Sequence, residues 1–105
     1  MGRYAIVGYR AKPGMQSTLE ALVGRHWDVL RGEALVSDRP AYHMRAADGT
    51  VVEIFEWLSE SSVERAQGNA AVQALRSEFA AVCDLVPVGQ LPETDQLFSE
   101  FGSLT

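Results

Sequence analysis

Residues 51–58 constrain the fold more than any other part of this chain. They read Val-Val-Glu-Ile-Phe-Glu-Trp-Leu, rich in the β-branched and aromatic types that favour strands, and they are nearly apolar on both alternating faces. A strand with one face in water alternates apolar with polar residues far more cleanly. A third strand over residues 50–58 therefore needs cover on both sides. Asp48-Gly49 is the strongest short-range hairpin signal in the chain. It connects this strand to one opened by Pro40 and running over residues 41–46.

The remaining periodicities supply the cover. Residues 3–10 have strand composition and end at Lys12-Pro13-Gly14, a turn. From residue 16 to about 31 the period changes. Leu19, Leu22, Val23, His26, Trp27 and Leu30 recur at the spacing of an amphipathic helix, with Ser17 and Glu20 at capping-box distance and Gly32 as a stop. Ser61-x-x-Glu64 is a second capping box and starts a second helix, with Val72, Leu75, Phe79 and Val82 along one face. Gly68-Asn69 interrupts its first turns. Residues 85–91 make a fourth strand, in which Pro87 suits an edge or a bulge. The order is βαββαβ, the split arrangement of an α+β, ferredoxin-like fold. Two helices cover one sheet face. A second copy of the sheet is the simplest cover for the other, so the chain is expected to be a homodimer.

At 105 residues there is room for one domain, expected over residues 1–91. The tail, residues 92–105, begins with Pro92, which discourages continuation of the ladder. Asp95 can cap a helical turn, and Leu97, Phe98, Phe101 and Leu104 then recur at helical spacing. That much apolar surface is expected to dock on the domain or on the partner subunit. The net charge of −5 with scattered basic residues argues against nucleic acid as a partner. No apolar run approaches the roughly 20 residues needed to span a bilayer, and no signal-peptide core follows Met1. A single Cys83 forms no internal disulfide, and a reducing cytoplasm is the default expectation. The chain has no Gly-rich nucleotide loop, no nucleophile elbow and no Cys-x-x-Cys. With two histidines and one cysteine it offers no structural zinc site.

Tyr4-Ala-Ile-Val-Gly-Tyr-Arg-Ala-Lys-Pro-Gly14 resembles the first strand and turn of the antibiotic biosynthesis monooxygenase-like family. Phe55-Glu56-Trp57, followed by Ser59-Glu60-Ser61-Ser62 and a helix, resembles that family's aromatic-Glu segment. The similarity runs in order over roughly residues 3–91. It implies a dimeric α+β barrel with a pocket between sheet and helices. For some members it implies oxygenation of aromatic polyketide or quinol-like substrates with no metal, flavin or haem. Other members degrade haem. Where many relatives carry a histidine early in the second helix this chain has Gln67, and an amide does not shuttle protons as imidazole does.

Several residues are candidates for chemistry. His26 lies on the apolar face of the first helix, either as a core histidine bonded to a carbonyl or as a base facing a cavity. If Ala46 faces Val51 across the hairpin, His43, Arg45 and Glu56 share one sheet face, and Tyr42, Met44, Glu53, Phe55 and Trp57 share the other. His43 and Glu56 are then diagonal neighbours. They form either a base with its orienting carboxylate or an ion-pair cluster at a dimer interface. A one-residue slip would dissolve the pair. Trp27, Phe55 and Trp57 either hold a flat aromatic ligand or fill the core. Asn69 either caps the helix or binds a ligand. Glu53 is a polar residue on an apolar face and needs a partner, expected across the dimer. Two functions follow: a cofactor-independent oxygenase of a small aromatic molecule, with His43 or His26 as base, and a non-catalytic dimeric small-molecule-binding or accessory protein.

Overall fold

The computed structural model describes residues 2–104. Strand β1 is Arg3–Ala11, helix α1 Gln16–Gly32, β2 Tyr42–Arg45, β3 Val51–Trp57, α2 Ser61–Gln67, α3 Ala70–Val82, β4 Cys83–Val86 and β5 Gly102–Ser103. The five strands form one antiparallel sheet in the order β4-β1-β3-β2-β5, with three helices. The chain is thus α+β, with an element order compatible with a ferredoxin-like fold.

The apolar stripes pack as their spacing requires. Leu19, Leu22, Val23 and Leu30 of α1 and Val72, Leu75, Phe79 and Val82 of α3 are all buried. They lie over Tyr9, Val51 and Phe55 of the sheet. At Gly8 the strands come so close that a Cβ would stand 2.5 Å from the Val86 carbonyl oxygen, which selects glycine there.

The hairpin register differs from the sequence expectation by one residue. Tyr42 faces Ile54, His43 faces Glu53 and Arg45 faces Val51. The connection is a three-residue loop, 47–49, closed by a 2.8 Å bond from the Ala46 amide to the Thr50 carbonyl and a 3.0 Å bond from the Gly49 amide to the Ala46 carbonyl. Gly49 has a φ of +92°, the left-handed residue such a loop needs. Asp48 also accepts from the Thr50 amide at 2.8 Å. Because side chains alternate, this one step moves His43 and Arg45 to the helix-covered face, beside Glu53, Phe55 and Trp57. Glu56 goes to the opposite face with Tyr42 and Met44, and the expected His43–Glu56 pair is not formed.

Neither capping box forms. Residues 16 and 17 already lie inside α1, where the Glu20 carboxylate accepts from the Gln16 side chain and, through both oxygens, from Arg45 Nη2 at 2.7 and 2.8 Å. Ser62 of α2 is buried and accepts from the Ser59 amide. The fourth strand is shorter than expected, because Pro87 ends it and a 3-10 turn, Val88–Gln90, follows. The tail is not helical either. After a second 3-10 turn, Pro92–Asp95, it crosses to the outer edge of the sheet, where Gly102–Ser103 pairs with β2.

Part of the face turned away from the helices is covered by this returning chain. Leu91 and Phe101 pack on Ala46, Val52 and Met44. The rest is open, with Tyr4 63%, Ile6 55% and Tyr42 71% exposed. Leu97 and Phe98 of the tail stand in solvent. Among the described residues no helix is long and apolar enough to cross a membrane.

Candidate functional site

The centre of the site is Glu53. Its side chain is fully buried on the helix-facing side of β3, and three donors from three other elements converge on it. Tyr9 of β1 donates its hydroxyl to Oε1 at 2.9 Å. His26 of α1 meets the same oxygen through Nδ1 at 2.6 Å, and His43 of β2 meets Oε2 through Nε2 at 2.9 Å. The partner that Glu53 needs is therefore within its own chain. Burial pushes its carboxyl upward, but the hydrogen bonds from His26 and His43, His26 charge and the Tyr9 bond outweigh it and leave the group below the usual glutamate range. Burial first, and then the Glu53 charge, push the Tyr9 phenol far above its usual range. Tyr9 is thus a fixed donor at neutral pH.

An ionised carboxylate only accepts hydrogen bonds, so His26 must hold a proton on Nδ1 and His43 one on Nε2. In a neutral His26 the basic nitrogen is then Nε2. The carboxylate orients the ring and stabilises the imidazolium that forms when Nε2 takes a proton. Tyr9 and His26 both donate to Oε1, so the 3.5 Å between them is the distance of two donors sharing one acceptor.

His26 also lines a half-open cavity of about 530 Å³ between sheet and helices. Its walls are Val7 and Tyr9 of β1, Phe55 and Trp57 of β3, Arg76, Phe79 and Ala80 of α3, and Cys83 to Leu85 of β4. Phe55 and Phe79 each meet the His26 ring edge-on at 5.5 Å. Tyr9 stacks on Phe79 at 5.0 Å, and Phe55 meets Trp57 at 4.9 Å. A volume of this size with aromatic walls and few polar groups is the usual form of a small-molecule site. The Cys83 thiol is buried, donates to the Phe79 carbonyl and is pushed up by desolvation, so it is an unreactive part of the wall.

No protein-family model, no curated protein and no solved structure matches this chain.

The candidates from the sequence divide cleanly in space. His26, Phe55 and Trp57 meet at the cavity. His43 reaches the same carboxylate from its other oxygen and does not line the cavity. Glu56 is on the opposite face, paired with Arg39 at 3.3 Å. Trp27 follows His26 on the helix by about 100° of rotation and packs instead with Leu30, Leu35 and Phe55, its indole N–H buried without a partner. Gln67 is exposed, and its carbonyl accepts from the Gln73 side chain.

Asn69 is a cap. Its Oδ1 accepts from the Val72 amide at 3.0 Å and its amide donates to Glu33. Asn69→Ala is expected to cost about 1 kcal/mol, or about 4–8 °C in melting temperature, without altering aromatic binding. Thermal melts and titration with hydroquinone check both halves.

Sequence reasoning missed Tyr9, Phe79 and Arg76. Phe79 was legible as part of the α3 stripe, and Arg76 lies three residues before it, on the neighbouring turn. Tyr9 carried no signal of its own, because its partner is 44 residues away.

Proposed function

We propose that the protein is a homodimer of the dimeric α+β-barrel, antibiotic biosynthesis monooxygenase-like kind. Each protomer acts on a small aromatic or quinol-like molecule in the cavity between sheet and helices, as an oxygenase that needs no bound cofactor. One observation carries the catalytic part: His26, oriented by a buried carboxylate at 2.6 Å, opens onto an aromatic-walled cavity. A small arene lies between Trp57, Phe55 and Phe79 with an acidic proton toward Nε2. His26 takes that proton, and Glu53 balances the charge. The resulting anion is electron-rich enough to reduce molecular oxygen. A quinol loses two electrons and two protons and leaves as quinone, with hydrogen peroxide as the other product. At a ring carbon bearing two hydrogens, one oxygen atom stays as a carbonyl and the other leaves as water. The dimer is supported by the open apolar patch around Ile6 and Tyr42.

The test is oxygen uptake with hydroquinone in air-saturated buffer containing a chelator. The parent is expected to turn over, and His26→Gln to lose about 100-fold or more in rate, the usual contribution of a general base. Equal rates in parent and variant, or turnover only on addition of flavin, haem or metal, would overturn the mechanism. Binding of hydroquinone without turnover would leave a small-molecule-binding protein.

A further inference from the structure

The nine basic side chains of this protein are not equivalent. Arg3, Arg10, Arg25, Arg31, Arg39 and Arg45 each pair with a carboxylate. Lys12 and Arg65 donate to backbone carbonyls. Of the nine, all among the described residues, only the Arg76 side chain makes no hydrogen bond or ion pair, and it lies on the cavity lining. Its charge reaches the Tyr9 hydroxyl, where it opposes the effect of Glu53. The one acidic side chain on the lining, Asp84, does not pair with it.

A guanidinium presents its donors as a planar fork that matches a carboxylate, and it is more weakly hydrated than an ammonium. Left without a protein anion at the rim of an aromatic cavity, it is a ready counter-charge for the ligand. We infer that the cavity selects an aromatic carboxylate, with the carboxylate on Arg76, the ring against Phe79 and Trp57, and a ring hydroxyl toward His26. This rests on the aromatic-cavity reading above and adds the substrate's charge to it. A hydroxylated benzoate has the needed groups on one ring. The two groups then have separate tasks: Arg76 holds the anion that persists, and His26 receives the proton that leaves.

The comparison that decides it is 2,5-dihydroxybenzoate against hydroquinone, which differ by the carboxylate alone. Binding is measured by calorimetry and by quenching of tryptophan fluorescence, since Trp57 lines the cavity. The parent is expected to bind 2,5-dihydroxybenzoate at least about tenfold more tightly than hydroquinone, about 1.4 kcal/mol. Added sodium chloride is expected to weaken only the carboxylate. In Arg76→Gln the preference should vanish while hydroquinone binds as before. Arg76 is exposed, so the substitution is expected to leave the fold intact, which a thermal melt checks. A parent that does not distinguish the two probes, or an Arg76→Gln variant that keeps the preference, would overturn the substrate class and leave the aromatic cavity standing. If neither probe binds, both this inference and the aromatic-cavity reading fall.

Discussion

Glu53→Gln is expected to lower the melting temperature at neutral pH by about 12–24 °C. The carboxylate is fully buried and receives Tyr9, His26 and His43. Removing one member of a buried charged cluster typically costs about 3–5 kcal/mol. The lower end applies here, because a neutral imidazole can survive burial where an orphaned arginine could not. About 3 kcal/mol in a domain of this size corresponds to that temperature range. The pH dependence has a definite sign. Glu53 is held below its ordinary value in the folded protein, so its contribution is fully present above the unfolded value of about 4.3. It is lost as pH falls through the lower folded value. The gap in melting temperature between parent and variant should therefore narrow below about pH 4.3. A gap that stays constant down to acid unfolding would mean that Glu53 is not the ionised centre of the cluster. The variant should also lose turnover, since a glutamine no longer fixes a charged partner for His26.

Ile6→Asp is expected to convert a dimer into a monomer. Ile6 sits opposite Ile54 in the middle of the open sheet face, beside Tyr4 and directly across the sheet from Tyr42's neighbour strand. Under two-fold symmetry each substitution enters the interface twice. Losing two large apolar contacts at about 1.5–3 kcal/mol each weakens association by about 10²–10⁴-fold, and two facing carboxylates add repulsion. Sedimentation at micromolar concentration should give the parent twice the 11.5 kDa protomer mass and the variant a single protomer. Because Ile6 is 55% exposed within one chain, far-ultraviolet circular dichroism should be unchanged. A parent that sediments as a monomer would sink the barrel proposal. A variant that stays dimeric would place the contact elsewhere, with Leu97 and Phe98 the next surface to probe.

Much of the fold was legible because it depends on local period. Leu19, Leu22, Val23 and Leu30 in α1, and Val72, Leu75, Phe79 and Val82 in α3, had to share a buried face wherever the helices docked. The break at Gly68-Asn69 was equally local: Asn69 caps the helix that follows it. So was the isolation of Glu53, a charge on an apolar stripe that could not stay unpaired.

What only the tertiary structure decided was which partners meet. Asp48-Gly49 announced a hairpin, but its loop length rests on the Asp48–Thr50 and Ala46–Thr50 bonds. One residue of register put His43 and Glu56, expected on one face, on opposite faces. That step gave His43 to Glu53 and removed Glu56 from any site. His26 and Trp27 share a helix face in sequence, yet one turns to the cavity and the other to the core beside Leu35. The tail's apolar residues were visible, but not that Phe101 would pack on Val52's cluster while Leu97 and Phe98 stayed out. Period and composition act over a few neighbouring residues, and they determine that a side chain is buried. The identity of what it is buried against comes from contacts 27 to 44 residues apart along the chain, which exist only once the sheet has closed its register and the helices have docked on it.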